Sequence, residues 1–278
     1  MARYYRYVEK INRFAQHLGV ESSLFDRTYD SACNAFQKFT KYPVILTVPI
    51  EICTGYFGFQ FRGWHYLVEL LKEYDTNREL QFDESVIKKF HSHYKPQNGY
   101  DFVRPYADDV QFCPPFGIFP WGTFVADSDV DGGAAKDPIR TRFCGPSSDE
   151  LIKSEFENTI GIFNAIREEG YQPWRRTFVS GTFLRRSNGG LRYVVTQGNH
   201  RMAVLSHLGY ESVLVRELPL QYKTINEEDV DSWYYVRNGE CSREDALAYF
   251  NAYFELSGFE QAKEAKKELN NVCGSSLW

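Results

Sequence analysis

The run Tyr193-Val194-Val195-Thr196-Gln197-Gly198-Asn199-His200-Arg201-Met202-Ala203-Val204-Leu205-Ser206-His207-Leu208-Gly209 changes its period halfway along. Its first four residues are β-branched or aromatic and predict a strand. From 199 onward the apolar residues recur at helical spacing and Gly209 supplies a stop, so a helix is predicted over 199–208. Gly198, between the two, permits a sharp turn and lets a ligand come close to the backbone. Asn199 is a candidate cap for the helix. The free N–H groups and positive dipole end of a helix starting here stabilise an anion. Arg201 adds a fork that matches phosphate oxygens, and His200 adds a donor or a proton shuttle. Gly198, Asn199, His200 and Arg201 are therefore the candidate phosphate-binding residues. The same Gly and Asn are ordinary at a helix start, and an Arg in a first turn is ordinarily solvated, so spacing alone leaves both readings open.

Upstream, Ser147 and Glu150 have capping-box spacing. Ile152, Phe156, Ile160, Phe163 and Ile166 form the apolar stripe of a helix that Gly170 closes. Strands are predicted over 177–186 and 191–196, joined by the hairpin turn Ser187-Asn188-Gly189-Gly190. Downstream, Val213 and Val215 alternate in a strand over 211–218. Helix, hairpin, helix, strand make a small α/β unit. The N-terminal region reads as helices over 4–18, 22–39, 63–74 and 83–94, the last capped by Asp83 and ended by Pro96, with one strand over 42–48. Prolines and glycines interrupt 112–146, which is too aromatic for a linker and is expected to be an ordered loop wrapping the core or lidding a pocket. Trp233-Tyr234-Tyr235-Val236 reads as extended, Ser242 with Asp245 starts a helix reaching 255, and a polar helix covers 259–270. The expected fold class is α+β. A mainly helical N-terminal region (1–111) and the loop (112–146) precede the small α/β core (147–220), and a C-terminal strand and helices (221–278) pack on that core.

The 278 residues, 43% of them hydrophobic, suffice for a full core. A net charge of −5 argues against a sequence-independent nucleic-acid binder, so no DNA partner is expected. No run of ~20 apolar residues calls for a membrane. The start Met1-Ala2-Arg3-Tyr4-Tyr5-Arg6 lacks the apolar block of a signal peptide, and a cytoplasmic location is expected. Six cysteines are scattered without a CxxC pair, which suggests free thiols and no zinc site. Asp127-Ser128-Asp129-Val130-Asp131-Gly132 begins like a calcium loop, but its twelfth position is Pro138, so it reads as an acidic turn. His91 and His93 stand two apart on a helix and do not face together. The P-loop, the Rossmann fingerprint and the G-x-S-x-G elbow are absent.

The stretch from Gln197 to Gly209 resembles the G-x-H-R helix start of the ParB/sulfiredoxin-like superfamily. That superfamily includes sulfiredoxin (G-C-H-R), free-serine kinases (D-G-H-H-R) and the ParB nucleotide-binding domain (G-x-R-R). The flanks agree over 147–218, roughly a quarter of the chain: a helix ending at Gly170, a strand into the motif, then Leu208-Gly209 and a Val-rich strand. The resemblance implies that Gly198, Asn199, His200 and Arg201 hold the phosphates of ATP or ADP, with CTP as the ParB-like alternative and Mg²⁺ bridging the phosphates. Two departures matter. Asn199 stands where sulfiredoxin has its catalytic Cys, which removes sulfinic-acid reduction by that route. Gln197 stands where the serine kinases have Asp, which leaves a carboxylate role there in doubt. The kinase relatives place a Glu near the start of the preceding helix. Glu150 and Glu155 both match, and Glu155, at the border of the apolar stripe, is the candidate base. Arg140 and Arg142 are candidate phosphate ligands on the upstream loop. Lys95-Pro96-Gln97-Asn98, Pro120-Trp121-Gly122 and Phe143-Cys144-Gly145-Pro146 resemble segments of a bacterial protein family associated with surface-polysaccharide genes. The expected function is an ATP- or ADP-dependent phosphotransferase acting on a small hydroxyl compound or sugar, with Glu155 and His200 catalytic. The alternative is a nucleotide-responsive binding protein without turnover.

Overall fold

The computed structural model describes residues 27–29, 44–55, 57–94, 119–122, 147–217 and 224–263. Among these residues seven strands form two small mixed sheets. In the first, β1 (Arg27–Tyr29) runs parallel to β2 (Val44–Pro49), and β2 pairs antiparallel with β6 (Ser212–Glu217). The second has the order β3 (Cys53–Gly55), β5 (Leu191–Gln197), β4 (Ser180–Arg185), β7 (Ile225–Asn226). There the β4–β5 hairpin is antiparallel, while β3 joins β5 and β7 joins β4 in parallel. The sheets meet where Val179 bridges Val215 and Arg216 N–H donates to the Val179 carbonyl at 2.9 Å. Both sheets mix strands from before and after the 112–146 segment.

Alternation along the second sheet explains why its strands read as nearly continuous apolar runs. Tyr193, Val195 and Phe183 face the larger core, whereas Val194 and Leu184 face a second one. The larger core is closed by α1 (Tyr66–Thr76), α2 (Val86–His93), α3 (Asp149–Glu169) and α4 (Asn199–His207). The second is built by Phe119 and Trp121 with α6 (Arg243–Glu255), through Tyr249, Phe250 and Tyr253. α4 buries every residue from Met202 to Ser206, as expected of a helix walled in on all sides. The α+β class therefore holds, and no helix among the described residues is long and apolar enough to cross a membrane.

Several local expectations are corrected. Residues 27–29, expected inside a helix over 22–39, are strand β1, because pairing with β2 outweighs the helical spacing. The described part of 1–111 contains β1, β2 and β3 beside α1 and α2. Asp83 does not cap α2. It lies in the 3-10 turn Phe82–Glu84, and the Ser85 hydroxyl accepts from Lys88 N–H at 3.4 Å. Ser148, not Ser147, caps α3 by accepting from Leu151 N–H at 3.3 Å, which takes Glu150 out of the capping-box position and leaves it exposed. The buried line of α3 carries Thr159 instead of Ile160. Trp233-Tyr234-Tyr235-Val236 is not extended. Residues Tyr234–Arg237 form a helical turn, α5, pinned by Tyr235 N–H on the Pro120 carbonyl at 3.1 Å and by Trp233 in the second core. The helix expected over 4–18, the acidic turn at 127–132, and Arg140 and Arg142 lie outside the described residues.

Candidate functional site

β5 delivers the chain to Gly198, whose φ of 93° and ψ of 27° are left-handed and admit glycine at little cost. Gly198, not Asn199, occupies the cap position, and no side chain caps the helix. Asn199 is the first helical residue. The first backbone bond of α4 runs from Met202 N–H to the Gly198 carbonyl at 2.9 Å. The N–H groups of Asn199, His200 and Arg201 precede it, at the positive end of the helix.

His200 and Arg201 are adjacent in sequence but leave the helix about 100° apart, and they serve different neighbours. His200 turns toward α3. Its Nε2 lies 3.0 Å from Glu155 Oε2, and its Nδ1 lies 2.8 Å from Thr159 Oγ1. The Thr159 hydroxyl donates its single proton to the Glu155 carbonyl at 2.6 Å, so its oxygen accepts from His200 Nδ1–H. Nε2 faces the Glu155 carboxylate, so the two helices are joined through both ring nitrogens of His200. Both side chains are about four-fifths buried, at 20% and 19% exposure. The two residues expected to be catalytic are thus in contact. His200 is committed to α3 through both ring nitrogens and does not reach across the turn.

Arg201 turns the other way. Its Nη1 donates to the carbonyl and the hydroxyl of Thr177, while its Nη2 and Nε fold over Gly198. A Cβ on Gly198 would come 2.9 Å from Nη2, so a side chain there would displace the guanidinium as well as strain φ. Burial lowers the guanidinium pKa from its usual value, against the opposing influence of Tyr171. Burial likewise pushes the Tyr171 phenol up to about 12, with Arg201 acting in the opposite direction. Arg201 and Arg176 line a cavity of ≈ 310 Å³ whose apolar wall is Ile162, Ala165 and Ile166. Gln197, at the end of β5, is exposed and accepts from the Ser180 hydroxyl at 3.4 Å.

Sequence reasoning missed three residues around the turn. Thr159 stands four residues after Glu155 on one helix face, and that spacing was the signal for it. Gly55, at the end of β3, and His65, at the start of α1, are far away in sequence, and nothing local marks them. His65 is buried at the start of α1, where its Nδ1 accepts from Leu67 N–H at 3.2 Å. Burial and then the nearby charge of His200 lower its pKa to about 3, so it stays neutral. Among the described residues no group of three or more His, Cys, Asp or Glu side chains could hold a metal ion.

Comparison with protein-family models, with curated proteins and with solved structures finds no match to this chain.

Proposed function

We propose that the chain is a nucleotide-dependent phosphotransferase that moves the terminal phosphoryl group of ATP or ADP to a small hydroxyl compound or sugar. The observation that carries this reading is the 3.0 Å contact of Glu155 with His200, immediately beside the uncapped start of α4. The likeness of the turn to ParB/sulfiredoxin-like proteins points the same way. The phosphates rest on the N–H groups of Asn199, His200 and Arg201, and the free edge of Arg201 neutralises their charge. The nucleoside occupies the cavity beside Arg201. Mg²⁺ would come with the nucleotide rather than from a protein ligand cluster, and would supply neutralisation of phosphate charge. The acceptor oxygen forms its bond to the terminal phosphorus as the bond to the bridging oxygen breaks. The shortened nucleotide leaves with that electron pair, and the acceptor proton passes to the Glu155 carboxylate. His200, held by Thr159, orients Glu155 and shares the charge.

Melting of the full chain with ATP, ADP, CTP and GTP, each with Mg²⁺, tests the nucleotide half of this reading. Saturation to about 100 Kd stabilises by about 2.7 kcal/mol, which raises the melting temperature by roughly 5–10 °C at this size. The shift is expected for one nucleotide and lost in Arg201→Ala. No shift with any nucleotide at millimolar concentration overturns the reading.

A second reading, a nucleotide-responsive binder without turnover, is favoured by Gln197, an amide where the kinase relatives carry a carboxylate. A melting shift without release of the shortened nucleotide, with or without sugars and polyols, would support it over phosphotransfer.

A further inference from the structure

Phosphotransfer needs a place for the acceptor, and the corner where β3 meets the start of α4 has the chemistry for one. A Cβ built on Gly55 would stand 3.2 Å from His65 Nε2 and 3.5 Å from Asn199 Oδ1. His65 is only 2% exposed. Its Nδ1 accepts from Leu67 N–H, so the proton of the neutral ring sits on Nε2. Among the described residues that Nε2–H has no acceptor, and Asn199 Oδ1 is buried without a donor. A buried acceptor left unmade is unfavourable, and next to a ring N–H it calls for a group that satisfies both. A hydroxyl does so: its lone pair takes the His65 proton and its own proton goes to Asn199. A carboxylate cannot donate and an ammonium cannot accept.

We propose that Gly55, His65 and Asn199 form the seat for a hydroxyl group of the acceptor, and that the acceptor is a neutral polyol or sugar rather than an amine or a simple acid. The proposal rests on the phosphotransferase reading and adds to it the acceptor's side. Asn199 links the two halves, since its N–H belongs to the phosphate-facing start of α4 and its side chain to the hydroxyl seat. His200, the next residue, holds the Glu155 carboxylate at 3.0 Å. Gly55 leaves space there because it has no Cβ to stand against the two polar atoms.

The experiment uses the full chain with ¹⁵N-labelled histidine, titrated with glycerol, myo-inositol and D-glucose. Gly55→Ala puts a methyl group against both polar atoms without deleting either. Its backbone φ lies outside the left-handed region, so alanine adds no backbone strain there. At least one probe is expected to shift the His65 Nε2–H resonance saturably in the native protein, with the response lost in Gly55→Ala. The ATP–Mg²⁺ melting shift, measured on the same samples, is expected in both proteins. If Gly55→Ala does not fold, Asn199→Ala leaves β3 untouched and carries the same expected loss. A His65 signal that no probe moves, or that moves equally in the variant, overturns the hydroxyl seat even when the nucleotide binds. A probe response without any nucleotide shift overturns the acceptor role along with the phosphotransferase reading.

Discussion

Glu155→Gln, His200→Gln and the double variant form a cycle that measures the contact between α3 and α4. Exposed ion pairs contribute about 0.2–1 kcal/mol, whereas breaking a fully buried pair costs about 3–5 kcal/mol. At 19% and 20% exposure the Glu155–His200 pair lies between these limits. The Thr159 hydroxyl adds to the loss because it too gives up a partner. A coupling of about 1.5–2 kcal/mol follows, with each single variant costing about 2 kcal/mol. For a chain of this size that lowers the melting temperature by roughly 4–8 °C. Thermal and urea melts of the four proteins at pH 7 give the coupling directly. Because both groups are mostly buried, added salt should reduce it only slightly. A coupling under about 0.3 kcal/mol, the ordinary scatter of additive sites, would refute the Glu155–His200 link and remove the positioned base from the site.

Three further outcomes are expected. Gly198→Ala meets a left-handed φ of 93° and the Arg201 guanidinium, so it should cost at least about 1–2 kcal/mol and weaken nucleotide binding; unchanged melting would contradict the turn geometry. His65, with a pKa lowered from 6.5 to about 3 in the folded chain, takes up a proton on unfolding throughout that window. Its contribution is complete above about pH 6.5 and is lost as the pH falls, making the protein about 2 kcal/mol less stable at pH 5 than at pH 7. His65→Asn keeps an acceptor at the cap and should flatten that slope in denaturant titrations. Gly181→Ala would place a Cβ 2.2 Å from the Val194 carbonyl oxygen, within the β4–β5 ladder, so little folded protein should be recovered by circular dichroism and gel filtration.

Elements that carry their own punctuation were legible in the sequence. The hairpin at Ser187-Asn188-Gly189-Gly190, the stop at Gly170 and the Ser242 cap all rest on residues that act within a few positions of themselves. Caps one residue apart were not separable, since Ser147 and Ser148 offer the same hydroxyl and tertiary packing chooses between them. β1 was hidden because its partner β2 decides its conformation. At the site, Glu155 was legible as an odd carboxylate beside an apolar stripe. The opposite directions of His200 and Arg201 were not, because they depend on where α3 and Thr177 stand. His65 was out of reach for a related reason: its neutral, buried state is created by the packing of α1 against α4.

The pairing of β2 with β6 has a consequence for synthesis of the chain. Pro49 stands opposite Ser212, so about 160 residues must emerge after β2 before its partner exists. At roughly 5–20 residues per second that is a wait on the order of ten to thirty seconds. During it Ile45, Leu46 and Val48, buried at the end, have no ladder on that side and no finished core. β3 waits in the same way for β5. Long-range pairing of this kind slows folding and leaves sticky strands open to other chains. Production of the protein should therefore respond to chaperone supply and to slower growth temperatures, and a fragment ending before 212 should aggregate rather than fold.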